Sequence, residues 1–279
     1  MTYTEAIIMG IFQGFSEFLP ISSSGHLAVL QNIFHIKEGN LFLAEMLHMG
    51  TLLSIFAVYF SEIKLMIVEF IKLIIKVVKR EKITVNRYQK FSILIIFATI
   101  PTVIIALIFK KYIDGLYKNL TFIAVSFIIT GVLLMIAQKN YRETKNIKEM
   151  TPKDALIIGL MQGIAILPGI SRSGLTIVAA LFCGLKKNVA TEFSFILSIP
   201  AVLGASILGF LDLVKGKEAL GFSIPLVLGV TLSFIVGVVS IKILVKILNK
   251  GKLSVFSYYL WAVGIVVLAA SLFKIKALQ

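Results

Sequence analysis

The chain has 279 residues, of which 58% are hydrophobic and 15% are charged. Soluble domains average about half apolar and about a quarter charged residues, so this composition excludes an ordinary soluble domain. The mean hydropathy of +0.97 predicts an all-α, polytopic membrane protein. The formal net charge is +14, but no nucleic-acid-binding motif is present, so we expect the lysines to contact anionic membrane lipids and no nucleic acid. The single cysteine, Cys183, excludes an intramolecular disulfide and a cysteine-cluster metal site.

Residues 1–150 form the first of two predicted halves. A Pro-Ile-Ser-Ser-Ser-Gly break at 20–25 separates an apolar segment at 4–20 from another at 26–34. Two short helices around such a break predict a re-entrant hairpin, because irregular backbone is tolerated at membrane depth only inside protein or a water-filled cavity. No signal peptide is expected, because Glu5 stands where a basic region would lie. Three spans are predicted to follow, at 41–60, 91–109 and 120–138.

Other segments of the first half are more polar. Segment 63–78 is apolar but carries lysines and glutamates, so it is either a tilted span or a helix in the membrane interface. Pro101 predicts a kink in its span, and 110–119 is predicted to form a short polar turn. The loops at 79–90 and 139–153 hold five Lys and Arg each, which predicts that both face the cytoplasm.

Residues 151–279 repeat this plan. Thr151 as N-cap, followed by proline at the first helical position, predicts a helix start. Segments 154–167 and 175–185 flank a Pro-Gly-Ile-Ser-Arg-Ser-Gly break and predict a second broken hairpin. Pro200 and Pro225 are each expected to kink or to start a helix. The predicted spans of this half are 190–211, 222–248 and 254–273.

The two breaks repeat one frame at a distance of 149 positions. The repeated identities include Gln13/Gln162, Gly14/Gly163, Ser22/Ser171, Ser24/Ser173 and Gly25/Gly174. We therefore expect two diverged repeats, each of which contributes one loop to a shared site. If 63–78 lies in the interface, each half has three spans and the repeats are inverted, which is the arrangement that we favour. If it spans, that count fails unless another segment compensates. Inverted repeats place a site at the ends of their broken helices.

The second loop, 168–176, predicts an anion site. A helix that begins there presents free N–H groups and positive partial charge, which suit phosphate. Arg172 adds a fork of donors that matches two phosphate oxygens. The other predicted substrate-binding residues of this loop are Gly169, Ser171, Ser173 and Thr176. The alternative is a structural arginine that pairs with Glu17 or with the carboxyl end of a helix.

The first loop supplies different groups. Glu17 can hold a divalent cation or act as a base, and His26 can act as a base, an acid or a nucleophile. Gln13 lies four residues before Glu17, on the same helical face. Phosphate can also be bound by the serine run of Ser22, Ser23 and Ser24. The remaining histidines, His35 and His48, are expected in loop and packing roles, with a place in the cavity as the alternative for His48.

Together the loops offer a carboxylate, a histidine, an arginine, hydroxyls and two helix N-termini. This set suits a phosphorylated anion bound with a metal ion at membrane depth, because phosphoryl transfer depends on charge neutralisation and in-line positioning. A substrate reached from within the membrane is expected to be a lipid.

The two motifs resemble the bacterial undecaprenyl-pyrophosphate phosphatase family, also called the bacitracin-resistance protein family. The first family motif, Glu or Gln, three residues, then Glu, matches Gln13 to Glu17, followed by Phe-Leu-Pro-Ile-Ser-Ser-Ser-Gly-His26. The second, Pro-Gly-x-Ser-Arg-Ser-x-x-Thr, is complete at 168–176. The resemblance implies hydrolysis of a C55 polyprenyl diphosphate to the monophosphate with a divalent cation, in the bacterial cytoplasmic membrane. It implies two inverted repeats with re-entrant hairpins and a site that opens to the outer face.

The resemblance also implies residue roles. Glu17 and His26 are the catalytic pair, and Arg172 and the serines bind the diphosphate. Gln13 occupies a slot that is Glu in some members, so only Glu17 remains in this motif as an anionic ligand of Mg²⁺ or Ca²⁺. His26 either activates water or attacks the terminal phosphorus, with a nucleophile from Ser22 to Ser24 as a third option. A homodimer is left open.

Two other classes of function are alternatives to this phosphatase family. Lipid phosphatases of the PAP2 class need a second histidine after the arginine, but the last histidine of this chain is His48. Inverted repeats with broken helices are also a transporter architecture, so a transporter or flippase of a phosphorylated lipid or anion is the alternative function. The pairing of Glu17 with His26 favours the enzyme. A purely structural membrane protein leaves the two repeated polar loops unexplained.

Overall fold

A computed structural model describes residues 2–34, 41–141, 143–214 and 223–273. Within these ranges the chain forms eleven helices, and its only β-bridge is an isolated one between Lys145 and Leu185. The helices are α1 (Tyr3–Phe18), α2 (Ser23–Ile33), α3 (Leu41–Val58), α4 (Phe60–Val78), α5 (Arg87–Tyr117), α6 (Leu120–Asn140), α7 (Pro152–Ile164), α8 (Arg172–Phe182), α9 (Lys187–Val214), α10 (Ile224–Asn249) and α11 (Ser254–Leu272). The predicted all-α membrane class is confirmed.

Both predicted hairpins have the expected break between two short helices. The first lies between α1 and α2, and the second between α7 and α8. Helix α7 begins as predicted, because the Thr151 side chain accepts from the Asp154 N–H and the proline between them stands in the first turn. The Asp154 carboxylate accepts from the Thr151 N–H and pairs with Lys145 at 3.0 Å. These contacts fix the point at which the second hairpin begins.

Five helices among the described residues are long and apolar enough to cross a membrane: α5 through Phe109, α6, α9 through Ile207, α10 and α11. Helix α3 and helix α4 form a sixth candidate as a bent pair, with an angle of 80° at the break. A bend of this size favours an interfacial position for α4, the option that leaves three spans in each half. Proline lies inside α5 and α9 and in the first turn of α10. The chain is therefore a multi-pass membrane protein.

The predicted polar turn at 110–119 is wrong. Helix α5 continues past its apolar part and ends at Tyr117, with Lys118 as its C-cap. Asn119 is the N-cap of the next helix. No proline interrupts residues 110–117, so the backbone can remain helical after the side chains become polar. Residue 222, where a span was predicted to start, and His35 lie outside the described residues.

Small residues let the helices of the two halves approach closely. A Cβ added to Gly131 of α6 would lie 3.1 Å from the Ser257 carbonyl oxygen, and one added to Gly264 of α11 would lie 3.0 Å from the Ala124 carbonyl oxygen. The two contacts are reciprocal, because Gly264 lies 133 positions after Gly131 and Ser257 lies 133 positions after Ala124. Such close approach stabilises helix pairs in membranes, where apolar side chains gain little from leaving lipid. Reciprocal contacts are also what two pseudo-symmetric repeats require.

Candidate active site

The tips of the two hairpins meet inside the helix bundle. A Cβ added to Gly25 would lie 2.8 Å from the Cα of Gly169, and one added to Gly174 would lie 3.3 Å from the Pro20 Cβ. Pro20 and Gly169 are equivalent in the two repeats, as are Gly25 and Gly174, so this contact is also reciprocal. The repeats thus bring their two loops to one place, as the sequence predicts.

The two breaks reach similar shapes through different residues. In the second loop Gly169 has φ +86°, and a Cβ there would lie 2.6 Å from the Ile123 carbonyl oxygen, so only glycine fits. In the first loop the positive φ, +69°, belongs to Ser22. A non-glycine residue in this region is strained by about 1–3 kcal/mol, and such residues cluster at functional sites. The strain lies in the loop that carries the catalytic candidates.

Serines at equivalent positions cap the helices that follow each break. The Ser22 hydroxyl accepts from the Gly25 N–H at 3.3 Å, and the Ser171 hydroxyl accepts from the Gly174 N–H at 3.1 Å. Each cap serine also has a hydroxyl neighbour two residues later at 3.3 Å, Ser24 in one loop and Ser173 in the other. Both helix N-termini are thereby fixed at the point where the hairpins meet, which is the arrangement that suits an anion.

Glu17 is the centre of the site. Its carboxylate, with 5% of the residue exposed, lies in the last turn of α1. Gln13 Nε2 donates to Oε2 at 3.1 Å, and Ser23 Oγ donates to the same oxygen at 2.6 Å. Arg172 Nη2 donates to Oε1. His48 Nε2 lies 3.4 Å from Oε2.

Two of these donors are equivalent residues. Ser23 and Arg172 are the first residues of α2 and α8, and they are 149 positions apart. Both point to the same carboxylate, one to each oxygen. The ion pair between Arg172 and Glu17, weighed as the structural alternative, is therefore present in the structure. The Arg172 side chain still keeps 18% of its surface exposed, so the guanidinium is not fully enclosed.

His48 lies in the site, which differs from the packing role expected for it. Its Nδ1 is 2.6 Å from the Ala44 carbonyl oxygen, and because a carbonyl can only accept, Nδ1 carries a proton. Its Nε2 faces the Glu17 carboxylate. Thr51, on the same face of α3, accepts from Gln13 at 3.4 Å. The spacing of three between these polar residues in an otherwise apolar helix was the available sequence signal.

His26 is buried but does not contact Glu17. Its Nδ1 lies 2.8 Å from the Ser22 carbonyl oxygen, and its Nε2 lies 2.8 Å from the Tyr259 hydroxyl. The ring centroid of Phe127 is 4.9 Å away and that of Phe12 is 6.2 Å away. The predicted catalytic pair, His26 and Glu17, is connected only indirectly. His26 bonds the Ser22 carbonyl, and the next residue, Ser23, bonds Glu17. Tyr259 is a site residue that sequence reasoning missed.

The remaining predicted residues of the second loop are engaged with the protein. Thr176 is fully buried, and its hydroxyl donates to the Arg172 carbonyl at 2.8 Å and pairs with the Ser194 hydroxyl. The Ser173 hydroxyl donates to the Leu19 carbonyl at 3.2 Å. These contacts hold the loop in shape. Direct binding of substrate by Ser173 and Thr176 stays a prediction.

The site offers oxygen ligands for a hard cation. The described residues contain no cluster of three or more His, Cys, Asp or Glu able to hold a metal. The Glu17 carboxylate and the Ser23 hydroxyl lie together, and the buried Gln13 Oε1 has no hydrogen-bond partner. Mg²⁺ commonly binds one or two carboxylates together with substrate phosphates. The residues present therefore fit a divalent cation bound through oxygen atoms.

The fold and the site define a polytopic α-helical membrane protein in which two broken hairpins bring together a buried carboxylate, an arginine and two helix N-termini. A comparison with protein families identifies it further: the family model of the bacitracin resistance protein BacA matches residues 6–266, and the chain belongs to this family.

Several curated relatives are similar over nearly their whole length. The undecaprenyl-diphosphatase of Alkaliphilus metalliredigens is 47% identical over 276 residues, which cover 98% of this chain and 100% of the relative. Undecaprenyl-diphosphatase 4 of Bacillus cereus is 41% identical over 268 residues, 96% of this chain and 97% of the relative. The undecaprenyl-diphosphatase of Carboxydothermus hydrogenoformans is 38% identical over 270 residues, with the same two coverages of 96% and 97%.

Proposed function

We propose that the chain hydrolyses undecaprenyl diphosphate to undecaprenyl monophosphate and phosphate, and so recycles the carrier lipid of cell-wall synthesis. The names of its relatives support the substrate. The observation that carries the proposal is the position of Arg172, at the N-terminus of α8 and joined to Glu17 among apolar helices. A charged residue at the bilayer centre costs about 2.5–3.5 kcal/mol on insertion scales. In the structure Glu17 offsets that cost, and the fork of donors at the start of α8 suits a lipid diphosphate in its place.

Binding of the diphosphate exchanges partners at Arg172. In the structure Glu17 pairs with the guanidinium. A diphosphate offers the same guanidinium more negative charge and several oxygens, which suit its planar fork of donors. The N–H groups at the starts of α2 and α8 supply further donors. Gln13 and Ser23 continue to hold Glu17 in place when Arg172 turns to the substrate.

His26 is the residue that we assign to the chemical step. An Nδ1–H bonded to Ser22 leaves the lone pair of the neutral ring on Nε2. That nitrogen either takes a proton from the attacking water or attacks the terminal phosphorus, in which case water later cleaves the P–N bond. In both routes one water oxygen ends on the released phosphate. The bond to the bridging oxygen breaks, and the lipid monophosphate leaves with that oxygen.

The cation is part of the proposal. Glu17 holds it, with Ser23 and the unpaired Gln13 Oε1 as further oxygen ligands. A bound Mg²⁺ or Ca²⁺ supplies charge neutralisation for the diphosphate oxygens. Arg172 supplies positive charge from the other loop, so the two hairpins divide the neutralisation between them.

We propose the orientation from the positions of the basic loops, and the bacterial cytoplasmic membrane from the family resemblance. Lys90, at the start of α5, donates to the Lys148 carbonyl, so the two basic loops lie at one end of the bundle. Basic loops favour the cytoplasmic side, and we place this end there, in the bacterial cytoplasmic membrane. We also propose that the site opens to the outer face, as the family resemblance implies. A homodimer stays a prediction, and sedimentation of the detergent-solubilised chain tests it.

Reconstituted vesicles distinguish this function from lipid transport. Wild type and His26→Ala are compared for phosphate release and for transbilayer movement of a labelled polyprenyl diphosphate. The proposal predicts that His26→Ala loses phosphate release while the protein stays folded. Unchanged phosphate release by His26→Ala contradicts the assignment of His26. Lipid movement without phosphate release in the wild type favours a transporter.

A further inference from the structure

Tyr259 of α11 reaches His26 from the other half of the chain. Its hydroxyl lies 2.8 Å from His26 Nε2. The two rings are stacked, with their centroids 5.6 Å apart and their planes 12° from parallel. No hydrogen bond or ion pair in the described part of the chain joins His26 to a charged side chain. Its partners there are the Ser22 carbonyl, this hydroxyl and the apolar rings of Phe12 and Phe127.

The hydrogen bonds determine which nitrogen of His26 is reactive. The Ser22 carbonyl can only accept, so Nδ1 of His26 carries the proton. In the neutral ring Nε2 then has a lone pair, and the Tyr259 O–H donates to it. Both nitrogens are therefore held, and the ring cannot flip without loss of two bonds. The contact covers the nitrogen that the proposed reaction uses.

We propose that Tyr259 is a positioning residue that holds His26 in the reactive tautomer and releases Nε2 when substrate binds. This inference rests on the proposed function. Tyr259 keeps 38% of its surface exposed, whereas His26 keeps 6%. The phenol can therefore turn away without disturbing the core, while the imidazole stays fixed by Ser22. A terminal phosphate, or the water that attacks it, takes the place of the phenol O–H at Nε2.

Two matched variants distinguish the effect of the Tyr259 hydroxyl from the effect of its ring. Tyr259→Phe keeps the stacked ring and removes only the O–H. Tyr258→Phe makes the same change one residue earlier, where the side chain is 62% exposed and packs on Trp261. A role in helix packing alone predicts that the two variants behave alike.

The first readout is independent of activity. The chain has three histidines, so ¹⁵N-histidine labelling gives a simple spectrum, and His26→Ala assigns the resonances. We expect Nδ1–H and an unprotonated, hydrogen-bonded Nε2 in the wild type. Tyr259→Phe is expected to move the Nε2 resonance toward that of a free imine nitrogen, whereas Tyr258→Phe leaves it in place. An Nε2–H tautomer in the wild type, or an Nε2 resonance unmoved by Tyr259→Phe, overturns the inference.

The second readout is kinetic. Loss of one positioning hydrogen bond is expected to lower kcat about tenfold in Tyr259→Phe, with KM changed less than about twofold. Tyr258→Phe is expected to match the wild type. An unchanged kcat in Tyr259→Phe overturns the positioning role. A wild type that releases no phosphate contradicts the proposed function instead, and the ¹⁵N spectra still decide whether Tyr259 holds His26.

Discussion

Arg172, the first residue of α8, donates to the carboxylate of Glu17 in the last turn of α1. One ion pair thus joins the broken helices of the two halves of the chain. The pair is partly buried, and Ser23, the residue equivalent to Arg172, bonds the other oxygen of the same carboxylate. The site is therefore assembled only when the two hairpins meet.

Arg172→Lys is expected to lower kcat/KM by at least about tenfold, because lysine keeps the charge but cannot present the planar fork to a diphosphate. Phosphate release across a range of substrate concentrations measures the effect. Arg87→Lys is the matched control. Arg87 forms an ion pair with Glu192, with 3.1 Å between Nη2 and Oε2, and this pair lies outside the site. Equal kcat/KM for Arg172→Lys and the control contradicts phosphate recognition by the fork.

His48→Leu is expected to lower phosphate release about tenfold, because it removes a partner that faces Glu17 Oε2. His48→Gln restores a hydrogen-bond donor at a similar reach, so it is expected to retain more activity than the leucine variant. Initial rates of both purified variants, with thermal unfolding as the folding control, measure the difference. A leucine variant as active as the wild type contradicts a role for His48 in the reaction.

Gly169→Ala is expected to destabilise the protein, because its φ of +86° and the Ile123 carbonyl leave no place for a Cβ. A strained backbone position of this kind costs about 1–3 kcal/mol. Gly115→Ala, inside α5 and with no atom within 4 Å of the added Cβ, is the control and is expected to be neutral or stabilising. Thermal unfolding in detergent compares them, and equal midpoints contradict the close contact of the second loop.

The start of the second hairpin is expected to lose stability in acid. Burial works to raise the pKa of Asp154, but hydrogen bonds from Thr151 and Lys145 outweigh it, so the pKa lies below its usual range. A carboxyl with a lowered pKa in the folded state stabilises the protein above its unfolded pKa, about 3.9, and this contribution is lost as pH falls through the folded value. Unfolding temperatures between pH 7 and pH 3 measure the loss.

The control for this acid effect is Asp154→Asn. That variant cannot titrate at this position, so its unfolding temperature is expected to be lower than that of the wild type at pH 7 and to converge with it in acid. A constant difference between the two proteins over the whole pH range contradicts the linkage.

Local sequence predicted the parts of the site that have local signals. The breaks with serine, glycine and proline predicted both hairpins, and their repeat predicted that the loops meet near Glu17 and Arg172. The pairing of these two residues was only an alternative, because charge alone does not decide between a ligand and an internal partner. The end of α5 was misplaced, because polar residues after an apolar run can continue a helix when no proline follows.

The contacts of His48 and Tyr259 were not predictable in the same way. Each is a polar residue in an otherwise apolar helix, without a motif around it. Tyr259 meets a partner 233 positions away, so only the packing of α11 against the first hairpin brings them together. The separation of His26 from Glu17 also depends on this packing, since a spacing of nine residues across a broken helix sets no distance between the side chains.

The proposed function of this site is the hydrolysis of a lipid diphosphate. The most direct measurement is phosphate release from undecaprenyl diphosphate by the detergent-purified chain, with added Mg²⁺ or Ca²⁺ and with EDTA, beside Arg172→Ala. We predict release by the wild type that EDTA abolishes and that is lost in Arg172→Ala while the variant remains folded. No release by folded wild type with either cation, or equal release by Arg172→Ala, would contradict the account.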